Sequence, residues 1–168
     1  MKTPLLFDFQ VDKTTNTIRV QLEFDAGLDL VWRAWTTPEL LDQWWAPLPY
    51  RNQTKELHLK PGGFWLYAMI SPENDVHWCR FDYESITPLH QYAGKDAFCD
   101  ELGQVTAAFP GMHWTNTFSA NAGRTMVQIV ITPESLEALE KIIEMGFKEG
   151  FTMGLNQLDE MLTNMNRD

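Results

Sequence analysis

The sequence predicts an α+β fold in which a curved antiparallel β-sheet packs its concave face against one long C-terminal helix. Two observations support this class. Between residues 5 and 132, apolar and polar residues alternate in short segments, which is typical of half-buried strands joined by turns. From Pro133 to about Asn164, apolar residues instead recur at helical spacing, over a length that can cross a whole sheet.

The first strands are predicted to form a hairpin followed by two short helices. TIRVQLEF at residues 17–24 alternates clearly, LLFDFQV before it alternates weakly, and DKTTN between them is typical of a turn. Helical spacing then begins near Leu28. Thr37 can cap a second helix that has Pro38 at its first position.

A run of strands with short connections follows these helices. The predicted strands are QTKELHLK, FWLYAMIS, VHWCRFDYESI and QYAGKDAFC, and a loop over residues 100–111 leads to a last hairpin of HWTNTFSA and RTMVQIVIT. Short connections favour an antiparallel meander. Because the concave face of such a sheet must be covered, the terminal helix is expected to lie across it in a helix-grip arrangement. Residues 1–168 are predicted to form one domain.

Composition excludes several classes of partner. The 168 residues carry a net charge of −10 with no basic run, which argues against a nucleic acid or an anionic membrane surface as partner. The N-terminal LLF is too short for a signal-peptide core, and no apolar stretch approaches the roughly 18 residues that span a bilayer. Two cysteines do not make a disulfide framework. We therefore expect a cytoplasmic protein.

Several motifs occur in an order that is characteristic of one superfamily. They are VWRAWTTPELLDQWW (31–45), LHLKPGG (57–63), YAM (67–69), DAFCDELG (96–103), GRT (123–125) and GFTMGLNQLDEML (150–162). In these motifs the chain resembles the SRPBCC superfamily of START, birch-allergen and polyketide-cyclase-like proteins, and in particular its activator-of-heat-shock-protein-90-ATPase-like branch. The resemblance implies a hydrophobic cavity between the sheet and the long helix. It fixes no reaction, because members include ligand carriers, cyclases and co-chaperone domains.

Three glycines of the predicted terminal helix share one face. Gly146, Gly150 and Gly154 are spaced by four residues, and each costs about 1 kcal/mol relative to alanine in a helix interior. Two explanations are open. The glycines allow the helix backbone to pack closely on its neighbours, or they leave room for a ligand.

The inward face of the sheet is predicted to line the cavity. Apolar and aromatic side chains with a few polar groups suit a flat or hydrophobic small molecule held by one or two hydrogen bonds. The alternative is that the same side chains fill a solid core. The candidate ligand-binding residues are Trp45, Trp65, Tyr67, Met69, His77, Cys79, Phe81, Phe98, Trp114, Asn116, Phe118, Gly146, Gly150, Phe151 and Gly154.

The outward face of the FWLYAMIS strand is also apolar, with Phe64, Leu66, Ala68 and Ile70. An exposed apolar strand face normally has a partner. This favours a co-chaperone-like stress-response protein that binds a chaperone, or a homodimer. Coverage of the face by the N-terminal hairpin is a further alternative.

The two cysteines are expected to face each other across paired strands. Cys79 and Cys99 would then share a face with His77. Buried inert thiols, a cross-strand redox pair and part of a zinc site are the alternatives. The spacing offers no fourth zinc ligand, so we predict no metal and no cofactor.

Motifs that define common catalytic sites are missing from the sequence. It contains no G-x-S-x-G, phosphate loop, H-E-x-x-H or G-x-G-x-x-G pattern. If a reaction takes place, His77 with Tyr67 or Asn116 would polarise a carbonyl or move a proton in the cavity. The leading hypothesis is a non-enzymatic protein that binds a small hydrophobic ligand. A cyclase- or hydrolase-like enzyme that uses the cavity is a third alternative.

Overall fold

Eight antiparallel strands form one open sheet in a computed structural model of the chain, which describes residues 5–106 and 111–165. The strands are β1 (Phe7–Asp12), β2 (Thr17–Phe24), β3 (Arg51–Leu57), β4 (Phe64–Ile70), β5 (Val76–Thr87), β6 (Gln91–Phe98), β7 (Met112–Asn121) and β8 (Arg124–Pro133). Their order across the sheet is β1-β2-β8-β7-β6-β5-β4-β3. The N-terminal hairpin therefore joins the sheet through β2, which pairs with β8, the last strand of the meander. Part of the predicted 100–111 loop, residues 107–110, lies outside the described residues.

Four helices accompany the sheet. They are α1 (Leu28–Thr36), α2 (Pro38–Trp44), α3 (Leu136–Glu144) and α4 (Phe147–Met165). The α+β class is confirmed, with two short helices after the first strands and a long C-terminal helix. None of the helices in the described part of the chain is long and apolar enough to cross a bilayer.

The predicted single helix from Pro133 to Asn164 is wrong in its bounds. Strand β8 includes Pro133, and α3 begins after Ser135, whose hydroxyl accepts a 3.0 Å hydrogen bond from the Ala138 N–H. The helix then breaks between α3 and α4, where Gly146 has a φ of +91°. A side chain is strained in this left-handed conformation and glycine is not, so Gly146 allows α3 to end and α4 to begin at the next residue.

The long helix α4 is fixed to the end of α2. Gln157 donates hydrogen bonds from Nε2 to the carbonyl oxygens of Trp44 at 3.0 Å and Ala46 at 2.9 Å. A Cβ at Gly154 would lie 3.4 Å from the Trp45 carbonyl oxygen. Gly154 therefore lies where α4 packs on the end of α2, in contact with the backbone of that end and not beside an open space.

The outward face of β4 is not the exposed surface that the sequence suggests. Leu66, Ala68 and Ile70 are buried. A segment over residues 99–106 folds across this side of the sheet, where Arg80 Nη1 donates to the Gly103 carbonyl oxygen at 2.7 Å. A Cβ at Gly103 of this segment would lie 3.9 Å from Leu66, whereas the N-terminal hairpin pairs with β8 at the other side of the sheet and does not cover β4.

The predicted pairing of the two cysteines is also wrong. The register between β5 and β6 shifts between Tyr83 and Ser85, which places Cys79 opposite Phe98. Cys99 follows Phe98 on the opposite face of the sheet, and its N–H donates to the Trp78 carbonyl oxygen at 3.1 Å. Both thiols are free and buried. His77, Cys79 and Cys99 therefore do not share one face.

Candidate functional site

A cleft of about 470 Å³ lies between the inner face of β4–β7 and the α3–α4 junction. The end of α2 closes one side of it. Sequence-predicted residues that line this cleft are Trp45, Tyr67, Met69, Cys79, Phe98, Trp114, Gly146, Gly150 and Phe151. The sequence did not predict that Pro47, Tyr50, Asp96, Met112 and Phe147 line it as well.

Aromatic rings form most of the cleft wall. Trp45, directly after α2, places its ring 5.3 Å from Trp65 and 6.2 Å from Phe151, in edge-to-face contacts. The Trp114 ring from β7 lies 5.5 Å from the Phe151 ring of α4. Such pairs add about 0.5–1.5 kcal/mol each beyond the buried area, so contacts between the rings stabilise the wall.

Three polar side chains on neighbouring strands form the floor of the cleft, and we refer to Tyr67, Cys79 and Asp96 as the polar floor. Tyr67 accepts a 3.1 Å hydrogen bond from the indole N–H of Trp45. Burial raises the pKa of the Tyr67 hydroxyl well above its usual value and that of the Cys79 thiol to about 12. Both groups are therefore neutral at physiological pH.

Asp96 is the acidic member of the polar floor. Its Oδ1 accepts a 2.6 Å hydrogen bond from the Met112 N–H, and its Oδ2 accepts a 2.9 Å bond from the Trp114 indole. Burial raises the pKa of the carboxyl to about 6, although both hydrogen bonds act to lower it. The carboxylate is thus ionised near neutral pH. The positive charge of Lys95 acts on it from a distance and lowers its pKa, but Lys95 forms its ion pair with Glu134.

The glycines have different surroundings. Gly146 has the left-handed backbone at the helix junction and Gly154 packs on the end of α2. Gly150 lines the cleft, where a Cβ would meet only the Pro47 Cγ at 3.9 Å. Gly154 therefore lies in a closely packed helix contact, whereas Gly150, one turn earlier in α4, faces open space in the cleft.

Comparison with known proteins decides the family. Residues 25–163 match the family described as "Activator of Hsp90 ATPase homolog 1-like protein". The chain belongs to this family. The resemblance seen in the sequence motifs is confirmed. No protein with a curated function matched.

Solved structures share the fold of this chain. The crystal structure of protein Ms6760 from Mycobacterium smegmatis is 28% identical with a TM-score of 0.85, covering 95% of this chain and 97% of that one. A solution NMR structure of a protein from Arthrobacter aurescens is 27% identical with a TM-score of 0.88, covering 94% and 91%. A solution NMR structure from Staphylococcus epidermidis is also 27% identical, with a TM-score of 0.82 and coverage of 93% and 94%.

Several predicted site residues lie outside the cleft lining. Trp65 is buried beneath Tyr67, with ring centroids 3.9 Å apart, and Phe81 is buried next to Tyr83. Asn116 and Phe118 are buried farther along β7, where Phe118 contacts Trp32 of α1 at 5.1 Å. These residues support the wall or the core without reaching the cleft.

His77 does not enter the cleft either. It is exposed near the start of β5, and its ring lies 6.3 Å from that of Tyr50. Asn116 is buried in the core. The group of His77, Tyr67 and Asn116 that was considered for catalysis is therefore not assembled.

The alternation of residues along β6 already places Asp96 on the inner face of the sheet. Asp96 is two residues before Phe98, which was placed on the cavity, and four residues after the buried Tyr92. Residues at even spacing share a face of a strand. A charged residue at one of these inward positions indicates a polar group on the inner face of the sheet.

Proposed function

We propose that this protein binds a small hydrophobic ligand in the cleft between its sheet and its C-terminal helices. The observation that carries the proposal is the cleft itself, with about 470 Å³ of space. Small-molecule sites usually occupy about 300–1,000 Å³ and combine apolar walls with a few placed polar groups. The aromatic wall and the polar floor fit that description.

The rim of the cleft supports the same function. Phe98 is 39% exposed and Met145 is 58% exposed, and both line the opening. Large apolar side chains at a concave opening lose their contact with water when a ligand is bound, which contributes about 25 cal/mol per Å² of apolar surface removed. The rim would therefore favour an apolar ligand that reaches the opening.

Neither alternative function is favoured by a specific contact. The apolar residues of β4 that suggested a chaperone partner, Leu66 and Ile70 among them, are buried by the chain itself. The residues considered for catalysis do not meet in the cleft. Ligand binding is the function that the arrangement of side chains supports best.

A fluorescence titration with N-phenyl-1-naphthylamine, a neutral apolar probe, tests this function. We expect a saturable increase in probe fluorescence at one site per chain. Met145→Glu should weaken binding at least about fivefold, because it puts a charge on the rim. Met153→Glu is the matched control, since Met153 is 45% exposed on α4 but does not line the cleft. An increase that does not saturate, or equal effects of the two substitutions, would contradict the proposal.

A further inference from the structure

The carboxylate of Asp96 defines the ligand more closely than the apolar wall does. We propose that the ligand is a protonated amine with an aromatic or aliphatic body, and that its ammonium group is bound by Asp96 on the cleft floor. This inference rests on the ligand-binding function proposed above.

Asp96 retains hydrogen-bonding capacity toward the cleft. A carboxylate has about four acceptor sites on its two oxygens. The Met112 N–H and the Trp114 indole N–H occupy one site on each oxygen, and the backbone N–H of Asp96 itself also acts on the carboxylate, which leaves at least one site. Asp96 is only partly exposed, and it lines the cleft, so a bound ligand can reach a free acceptor site.

The charge of Asp96 is only partly compensated, since the positive charge of Lys95 acts on it from a distance. Its two hydrogen-bond donors are neutral groups. Lys95, its neighbour on β6, pairs with Glu134 at 3.3 Å. On the neighbouring strands, Tyr67 and Cys79 are neutral because burial raises the pKa of each. No other residue with an acidic or basic side chain lines the cleft within the described part of the chain.

The rings around Asp96 favour a cation as its partner. The Trp114 indole donates to the carboxylate, so this ring lies directly beside it. The ring of Trp45 is 6.0 Å from that of Trp114, and the ring of Phe151 is 5.5 Å from it. Ammonium groups are attracted to the faces of such rings within about 6 Å, and most strongly to tryptophan. An ion pair and aromatic contacts would then act on the same group.

The charge of the chain selects against the opposite class of ligand. The net charge of −10 attracts cations and repels anions at long range. A fatty acid or another carboxylate would bring a second negative charge against Asp96. Such like-charge contacts in a partly buried site are unfavourable, so anionic ligands should be excluded.

Isothermal titration calorimetry with two probes of similar shape tests the inference. The probes are 2-naphthylmethylamine, which is protonated at neutral pH, and the neutral 2-naphthylmethanol. We expect the wild-type protein to bind the amine at least about tenfold more tightly than the alcohol, as for a hydrogen-bonded charge pair. In Asp96→Asn this preference should disappear, while the affinity for the alcohol stays within about threefold.

The outcomes separate this inference from the function on which it rests. If the alcohol binds and the amine binds no more tightly, the amine assignment is overturned and the ligand-binding function stands. If neither probe binds, both are overturned. If Asp96→Asn still prefers the amine, Asp96 is not the group that binds the ammonium, and the assignment is overturned. Should that variant not fold, nuclear Overhauser effects in the wild type decide: contacts from the amine methylene to the Trp114 ring support the assignment, and contacts to Met145 alone overturn it.

Discussion

The indole N–H of Trp45 donates a 3.1 Å hydrogen bond to the hydroxyl of Tyr67. Trp45 follows α2 and Tyr67 lies in β4, so this bond ties the short helices to the floor of the cleft. Tyr67 also stacks on Trp65, with ring centroids 3.9 Å apart. One hydroxyl therefore holds two parts of the cleft in place.

Removal of that hydroxyl should destabilise the protein. In Tyr67→Phe the partly buried Trp45 N–H loses its acceptor, and an unpaired donor of this kind costs about 1–3 kcal/mol, toward the lower end where water can reach it. Urea denaturation measures the change in the free energy of unfolding. Tyr83→Phe is the control, because the Tyr83 hydroxyl has no hydrogen bond to a described residue and its removal should cost less than about 0.5 kcal/mol. Equal losses in the two variants would show that the bond does not contribute.

The same substitution at two glycines of α4 should have opposite effects on stability. At the buried Gly154, a Cβ would already be in contact with the carbonyl oxygens of Trp45 and Trp44, at 3.4 and 3.5 Å, so the larger leucine side chain should overpack the site, which costs about 1–3 kcal/mol. Leucine at Gly150 faces open space beside Pro47 and should gain up to about 1 kcal/mol of helix propensity. Thermal unfolding of both variants checks this, and comparable destabilisation would contradict it.

The pKa of Asp96 predicts a specific dependence of stability on pH. Folding raises this pKa from an ordinary value of 3.8 to about 6, so the folded state binds the proton more tightly. The contribution of Asp96 to the free energy of unfolding therefore falls as the pH rises from about 4 to about 6, by at most about 3 kcal/mol at about 1.4 kcal/mol per pKa unit.

Asp96→Asn isolates this contribution. Urea denaturation from about pH 4 to pH 7 should show the variant gaining stability relative to the wild type as the pH rises. If the asparagine forms weaker hydrogen bonds with Met112 and Trp114, the resulting loss of stability is the same at every pH, so it does not change the pH dependence of the difference between variant and wild type. A difference that stays constant over this range, or that changes in the opposite direction, would contradict the raised pKa.

The 99–106 segment should depend on Arg80. This side chain donates to the Gly103 carbonyl oxygen at 2.7 Å, and its guanidinium lies 4.7 Å from the centroid of the Phe64 ring. In Arg80→Met, we expect a loss of about 1–2 kcal/mol and faster hydrogen exchange at the amides of residues 99–106.

Arg33→Met is the matched control for Arg80. Arg33 forms an exposed pair with Asp29 at 3.4 Å on α1, and such pairs contribute less than about 1 kcal/mol. The control should leave exchange in the 99–106 segment unchanged. If Arg80→Met also leaves it unchanged, the segment is held by other contacts.

The alternation of apolar residues was sufficient to predict the strands and most of the inner face. It could not predict the shift between β5 and β6, because Glu84 and Ser85 are both polar and either fits an outward position. The pairing of Cys79 depended on that shift. Register is well specified only where a change moves apolar side chains to the wrong face.

Two site features required the packing of distant elements to be known. The spacing of Gly146 matched a helix face, whereas its left-handed backbone belongs to the junction between α3 and α4, which the spacing does not reveal. His77 belongs to the same face of β5 as Cys79, yet it lies near the start of the strand and is exposed. Alternation along a strand assigns a residue to one face of the sheet. Which residues of that face the helices cover is decided by tertiary packing, which the alternation does not reveal.

The affinity of Gly150→Leu for N-phenyl-1-naphthylamine tests the central claim most directly. Gly150 lines the cleft and has room for a side chain, so leucine should fill space that a ligand needs without unfolding the protein. We predict saturable binding by the wild type and affinity at least about tenfold weaker in the folded variant. Unchanged affinity in a folded Gly150→Leu protein would contradict the claim that the ligand binds in this cleft.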